Sequence, residues 1–168
     1  MNTLQISPGV KDGVKDGVED DQQLAEACSR VIAQRDQAAQ ALGIAVLEVA
    51  PGRATLSMRV RQDMLNGHNC CHGGMLFTLA DTAFAHACNS YNRATVASGC
   101  TIDYVAPGFA DDTLTAIAEE RQRSGRTGVY DVTIYNQQQQ PLAYFRGKSY
   151  QIRGTLLPAC NESTDGSV

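Results

Sequence analysis

The sequence predicts an α+β domain in which one antiparallel sheet wraps a long apolar helix. Three observations carry that expectation. In residues 75–92, MLFTLADTAFAHACNSYN, apolar residues recur at Met75, Leu76, Leu79, Ala80, Ala83, Phe84 and Ala87, the spacing of a buried helix face. Two strand-like runs precede this stretch and four follow it, separated by turn residues. The 168 residues suit one domain with a sizeable core. The order α-β-β-α-β-β-β-β is met economically by a single sheet around the central helix, without being its unique solution.

Along the chain, residues 1–22 contain VKDGVKDGVEDD, whose seven charges and two glycines leave little to bury. They read as a disordered acidic tail. Residues 23–42 lack Gly and Pro and are rich in helix formers, with Gly43 as a natural stop. IAVLEVA and ATLSMRV read as a hairpin turned at Pro51-Gly52, followed by the polar loop RQDMLNGHNCCHGG. Beyond the central helix, strands are expected over about 95–106, 113–124, 127–136 and 142–153. Pro107-Gly108, Ser124-Gly125 and the glutamine run before Pro141 mark the turns. The last fourteen residues, 155–168, read as a second flexible tail, which leaves 23–154 as the folded domain.

No apolar run approaches the ~20 residues of a membrane span, and MNTLQISPGV lacks the pattern of a signal peptide. A soluble cytoplasmic protein is expected, with its six cysteines reduced. The net charge of −4 resides in the two tails. Residues 121–153 are instead basic, with Arg121, Arg123, Arg126, Arg146, Lys148 and Arg153 against Asp131 alone. Such a segment suits a phosphate-bearing ligand, or is simply a solvated strand face. No basic helix or aromatic-basic signature points to nucleic acid.

Asp81 lies in the middle of the apolar helix. A buried carboxylate is costly and tends to be neutralised, hydrogen-bonded or used, whereas one on an exposed helix edge needs no explanation. Periodicity leaves both readings open. His72-Gly73-Gly74 falls where the helix begins. First-turn N–H groups carry partial positive charge and can stabilise an oxyanion, although Gly-Gly is more commonly a turn. Asn66 suits either a carbonyl contact or an Asn-Gly turn, and Thr78 shares the face of Asp81 but also suits helix packing. Ser98 is a weaker polar candidate.

Gly73 and Asp81 are eight positions apart, roughly 12 Å along a helix and about 80° in azimuth. One chain cannot bring both to one reacting carbon. Two antiparallel copies of the helix can, so a chemical role for both predicts a symmetric dimer. The cluster His68, Cys70, Cys71, His72 lacks the paired spacing of structural zinc, and a Cys-His nucleophile has no clear activating partner beyond His68 and His72. G-x-S-x-G and G-x-G-x-x-G are absent, and the G-K-S of LAYFRGKS lacks the first glycine of a P-loop.

The segment LNGHNCCHGGMLFTLADTAFA resembles the phenylacetic acid degradation (PaaI) group of hotdog-fold thioesterases. The likeness continues through VASGCTIDYVAPGFADDTLTA, SGRTGVYDVTIYNQQQ and FRGKSYQI and spans about residues 24–154. The resemblance implies a hotdog fold, a six-stranded antiparallel sheet around the helix with an additional N-terminal helix. It implies hydrolysis of an acyl-CoA thioester without a cofactor or metal. By motif position Asp81 is nucleophile or general base, Gly73 N–H polarises the carbonyl, and Asn66 and His72 orient groups around it. The implied substrates are hydroxylated phenylacetyl-CoA and related aryl-CoA esters. Gly74 and Thr78 are expected near the substrate, and Arg126, Thr127, Arg146 and Lys148 near the CoA phosphates. Homodimers with shared sites, usually paired into homotetramers, are implied, with neither nucleic acid nor membrane as partner. Other acyl-CoA or quinone-precursor aryl-CoA esters, a non-catalytic acyl-CoA sensor and a hotdog hydratase are the alternatives.

Overall fold

The structure is a computed structural model that describes residues 13–158. Helix α1 spans Gly13–Arg35 and α2 Gln37–Leu42. Strands β1 (Ala45–Ala50) and β2 (Arg53–Arg59) form a hairpin, and a short 3-10 turn at Gln62–Met64 leads to α3 (Gly73–Cys88). Strands β3 (Thr95–Tyr104), β4 (Thr113–Ser124), β5 (Thr127–Tyr135) and β6 (Pro141–Gln151) follow. All pairings are antiparallel, and the six-stranded order is β1-β2-β4-β5-β6-β3. The expected hotdog architecture is the observed one.

The alternation expected of half-buried strands fixes the register. Ala54, Leu56 and Met58 of β2 lie opposite Ala118, Ala116 and Leu114 of β4, and all six are buried. Tyr130, Val132 and Ile134 of β5 continue that face, and α3 buries Leu76, Leu79, Ala80, Ala83, Phe84 and Ala87 against it. Gly147 on β6 permits the close approach. A Cβ there would lie 2.9 Å from the Phe84 ring, nearer than side-chain carbons pack. Phe84 also meets Tyr130 edge-on at a centroid distance of 5.4 Å.

Three sequence expectations need correction. Helix α1 begins at Gly13, inside the segment read as a tail; residues 1–12 lie outside the described residues. The helix expected over 23–42 is broken at Asp36, whose Oδ1 accepts the Ala39 N–H at 2.9 Å and caps α2. The first residues of the expected C-terminal tail are tied down, since Leu156 and Leu157 N–H both donate to Asn92 Oδ1; residues 159–168 lie outside the described residues. Among the described residues no helix is long and apolar enough to cross a membrane.

Helix α1 is anchored by Ala25 and Cys28, both fully buried, and by a buried polar pair. Ser29 Oγ lies 2.7 Å from His86 Nδ1 of α3. Burial pushes the His86 pKa down from 6.5 to about 4, against the opposing charge of Asp36. The unfolded chain therefore takes up a proton near pH 6.5 that the folded protein refuses until about pH 4. Stability from this group is complete above pH 6.5 and is lost between the two values, by about 3 kcal/mol. Denaturant unfolding at pH 7 and pH 4.5 should show most of that loss in the wild type. His86→Gln keeps a polar partner for Ser29 without titrating and should flatten the dependence; an unchanged slope assigns the pH sensitivity elsewhere.

Candidate active site

The loop before α3 folds around Asn66. Its Oδ1 accepts the His68 N–H at 2.8 Å, and its own N–H donates to Cys70 O at 2.9 Å. Cys71 N–H then bonds Gly108 O, and His72 N–H bonds Met64 O, each at 2.8 Å. These contacts deliver His72 in extended conformation as the N-cap of α3, where its Nδ1 accepts the Gly74 N–H at 2.9 Å. The Gly74 N–H is thus occupied. Among the described residues the Gly73 N–H has no acceptor.

Gly73 lines a groove of about 400 Å³ with Asn66, Cys70, Leu76, Tyr104 and Pro107. Tyr104, which the sequence reading missed, reaches from the end of β3 and donates its OH to Gly73 O at 2.9 Å. A Cβ on Gly73 would sit 3.0 Å from the Tyr104 ring. The groove therefore joins an unused helix-terminal N–H, the Asn66 amide and an apolar wall, a combination suited to a polarised carbonyl with an apolar substituent.

Asp81 is half-buried and is not among the groove's walls within the same chain. It belongs to a stripe on α3, Gly74, Phe77, Thr78, Asp81 and Ala85, that remains partly or fully exposed while the neighbouring positions are buried. Burial raises its pKa first and the charge of Asp36 second, whereas a bond from the Cys100 thiol, Sγ to Oδ1 at 3.9 Å, opposes both. Thr78 donates its hydroxyl to Gly74 O, a local helix bond, and Ser98 donates to Lys148 O of β6. The Cys71 thiol is pushed up to about 11, by burial and then by Cys70 and Asp112. That disfavours Cys71 as a thiolate nucleophile.

The expected phosphate contacts lie apart from this groove. Arg146 holds Asp131 through two bonds of 2.6 and 2.8 Å, and Arg121 bonds the same carboxylate at 3.0 Å. Arg126 donates twice to Gln151 O and stacks over Tyr150 at 4.7 Å, while Thr127 bonds Ser124 O. Lys148 has no carboxylate partner among the described residues. Arg146, Lys148 and Tyr150 alternate with buried β6 residues, so they share the sheet face away from α3. One chain thus does not bring these cations to Asp81 or Gly73.

Comparison with known proteins gives the arrangement a family. The thioesterase superfamily pattern matches residues 68–143. The chain is 57% identical over 123 residues to the acyl-coenzyme A thioesterase PaaI of Escherichia coli K12, covering 73% of this chain and 88% of that protein. The solved E. coli PaaI structure superposes with a TM-score of 0.79 at 53% identity, over 80% of this chain and 97% of that one. A Streptococcus mutans UA159 protein solved with acetyl CoA matches at 26% identity with a TM-score of 0.64, over 67% of this chain and 90% of that one. The chain belongs to the thioesterase superfamily, in the PaaI group of hotdog-fold acyl-CoA thioesterases that its Asn66, His72-Gly73-Gly74 and Asp81 motif had suggested.

Proposed function

We propose that the protein hydrolyses hydroxyphenylacetyl-CoA, phenylacetyl-CoA and related aryl-CoA thioesters to the free acid and CoA. The reading is carried by the unused Gly73 N–H in a partly apolar groove, in a chain 57% identical to a PaaI thioesterase. The thioester carbonyl oxygen takes the Gly73 N–H at the positive end of α3, which stabilises charge as the carbonyl carbon becomes tetrahedral. Asn66 has its Oδ1 committed to loop N–H groups, so its side-chain amide N–H is the part left for substrate. His72 holds the first turn of the helix in place.

Asp81 acts in its ionised form. Either its carboxylate attacks the carbonyl carbon and displaces CoA thiolate, forming a mixed anhydride that water cleaves, or it takes a proton from the attacking water. Each route consumes one water and yields acid and CoA.

The site is shared between two chains. Asp81 of one subunit works with Gly73 of the partner subunit, because the eight-residue separation on α3 forbids the meeting within one chain. Among the described residues strand β3 ends the sheet and is largely exposed, and the uncovered stripe on α3 lies beside it at the Asp81–Cys100 contact, which supports an isologous contact there. Pairing of two such dimers gives a homotetramer. Lys148 and Arg126 are the cations proposed to meet the CoA phosphates, with Thr127 beside them. Arg146 meets them less readily because Asp131 already neutralises it.

Steady-state thiol release from phenylacetyl-CoA, hydroxyphenylacetyl-CoA and straight-chain acyl-CoAs tests the reaction. The aryl esters should be preferred, and Asp81→Asn should lose at least about a hundredfold in kcat while remaining folded. Preference for straight-chain esters moves the substrate class, and no turnover of any ester replaces the enzyme with an acyl-CoA sensor. Because the anion is the active form and its pKa is raised, the acid limb of the wild-type rate profile should lie above 3.8, with activity falling as pH drops through it. Single turnover in heavy-oxygen water should place label in Asp81 on the anhydride route and in product alone on the water route. Mixed Asp81→Asn and Gly73→Pro subunits should regain activity, since one of the two hybrid sites is intact. Silence despite proven exchange removes the shared site.

A further inference from the structure

We infer that Cys100 is a positioning residue for the reaction, its thiol donating to Asp81 Oδ1 and fixing the orientation of that carboxylate. The inference rests on the Asp81 reading above. Its basis is a break in the ladder between β3 and β6. Ala97 pairs with Ser149 and Gly99 with Lys148, so Ser98 is an extra residue on β3. Side chains alternate between the faces of a strand, and an added residue reverses that alternation for everything beyond it. Ser149 and Gly147 lie on the buried face of β6, so Ala97 and Cys100, three residues apart, both face α3. Without the bulge Cys100 would face the other side of the sheet.

The same shift sends Ile102 and Tyr104 towards α3. Ile102 pairs with buried Phe145, and Tyr104 reaches Gly73 O. One extra residue thus sets two contacts, thiol to Asp81 and phenol to Gly73. Opposite Cys100 stands Gly147, whose missing side chain leaves room for Phe84.

The titratable groups around Asp81 come from three elements. Asp36 at the start of α2 repels the carboxylate. On α3 the Cys88 thiol is pushed up to about 12 by burial and stays protonated, and buried His86 is neutral down to about pH 4. From β3 comes Cys100, whose contact favours the anion. Asp81 in turn helps to raise the Cys100 pKa, after burial, so the thiol keeps the proton it donates. An S–H bond is weak, and its effect belongs in the acid limb and in kcat rather than in substrate binding.

Rate profiles with phenylacetyl-CoA for wild type, Cys100→Ala, Cys100→Ser and Asp81→Asn test this. Cys100→Ala should move the acid limb to higher pH by up to about one unit, a three- to tenfold loss of kcat at the foot of the limb, with KM retained. Cys100→Ser restores a donor and should return the limb to the wild-type position or below it. Superposed profiles for all three active proteins overturn the inference while leaving the catalytic aspartate intact. An active Asp81→Asn instead removes the aspartate reading itself. If the alanine variant does not fold, infrared spectra of the wild type decide. One S–H stretch should move when Asp81 titrates and should lose that response in Asp81→Asn; S–H bands indifferent to both overturn the proposal.

Discussion

The placement of the proposed site depends on the contact between Phe84 and Gly147. The helix can sink into the sheet only because β6 presents no Cβ where the Phe84 ring lies. Once there, the ring is locked by Tyr130 at 5.4 Å and Phe145 at 6.1 Å, and Phe77 adds a second edge contact to Phe145 at 5.4 Å. Residues three apart on a helix differ by about 60° in azimuth. With Phe84 fixed on the sheet, Asp81 has to emerge on the flank, and there it meets Cys100 from β3. The half-burial of Asp81 thus follows from apolar packing. Its raised pKa follows from that half-burial and from the nearby capping aspartate of α2.

The start of α3 shows a similar economy. A helix leaves its first N–H groups unpaired, and a cap normally satisfies them. Here the cap is His72, and it takes the Gly74 N–H, one residue past the first. The hydrogen-bonded loop around Asn66 holds His72 in the extended conformation this requires. Tyr104 meanwhile engages the carbonyl of Gly73 rather than its N–H. All three contacts rigidify the peptide while leaving its donor uncommitted, and a preorganised donor of this kind stabilises developing charge without reorganisation.

Much of this was legible in the sequence because its cause is local. The apolar spacing from Met75 to Ala87 marked α3, Pro51-Gly52 and Ser124-Gly125 marked two hairpins, and the Asn66 to Asp81 motif marked the family. The misses have distant causes. Nothing local says that a charged segment with Gly13 and Gly17 is helical; the helix it enters is held by Ala25, Cys28 and Ser29 against other elements. Asp36 breaks a run of good helix formers by capping, a choice its neighbours do not announce. The excess of arginine in 121–153 suited a phosphate-bearing ligand or a solvated strand face in the sequence, yet sheet register places Arg121 and Arg146 on one aspartate. The bulge at Ser98 was invisible for the same reason, since a bulge is a property of two strands.

That bulge lies on β3, which ends the sheet. Edge strands offer unpaired backbone to any neighbour, and a bulge narrows what they can accept. In the proposed dimer the strand that carries Cys100 and Tyr104 would also carry the intersubunit contact. Assembly and chemistry would then depend on the same backbone. A shift of β3 by one residue would turn Cys100 and Tyr104 away from α3 together, leaving Asp81 without its donor and Gly73 without its brace. The extra residue at Ser98 opposes that shift, because a one-residue slip would carry partly buried Ile102 off the face it shares with buried Phe145. For the proposed site, register specificity, usually an argument about folding, is therefore an argument about catalysis as well.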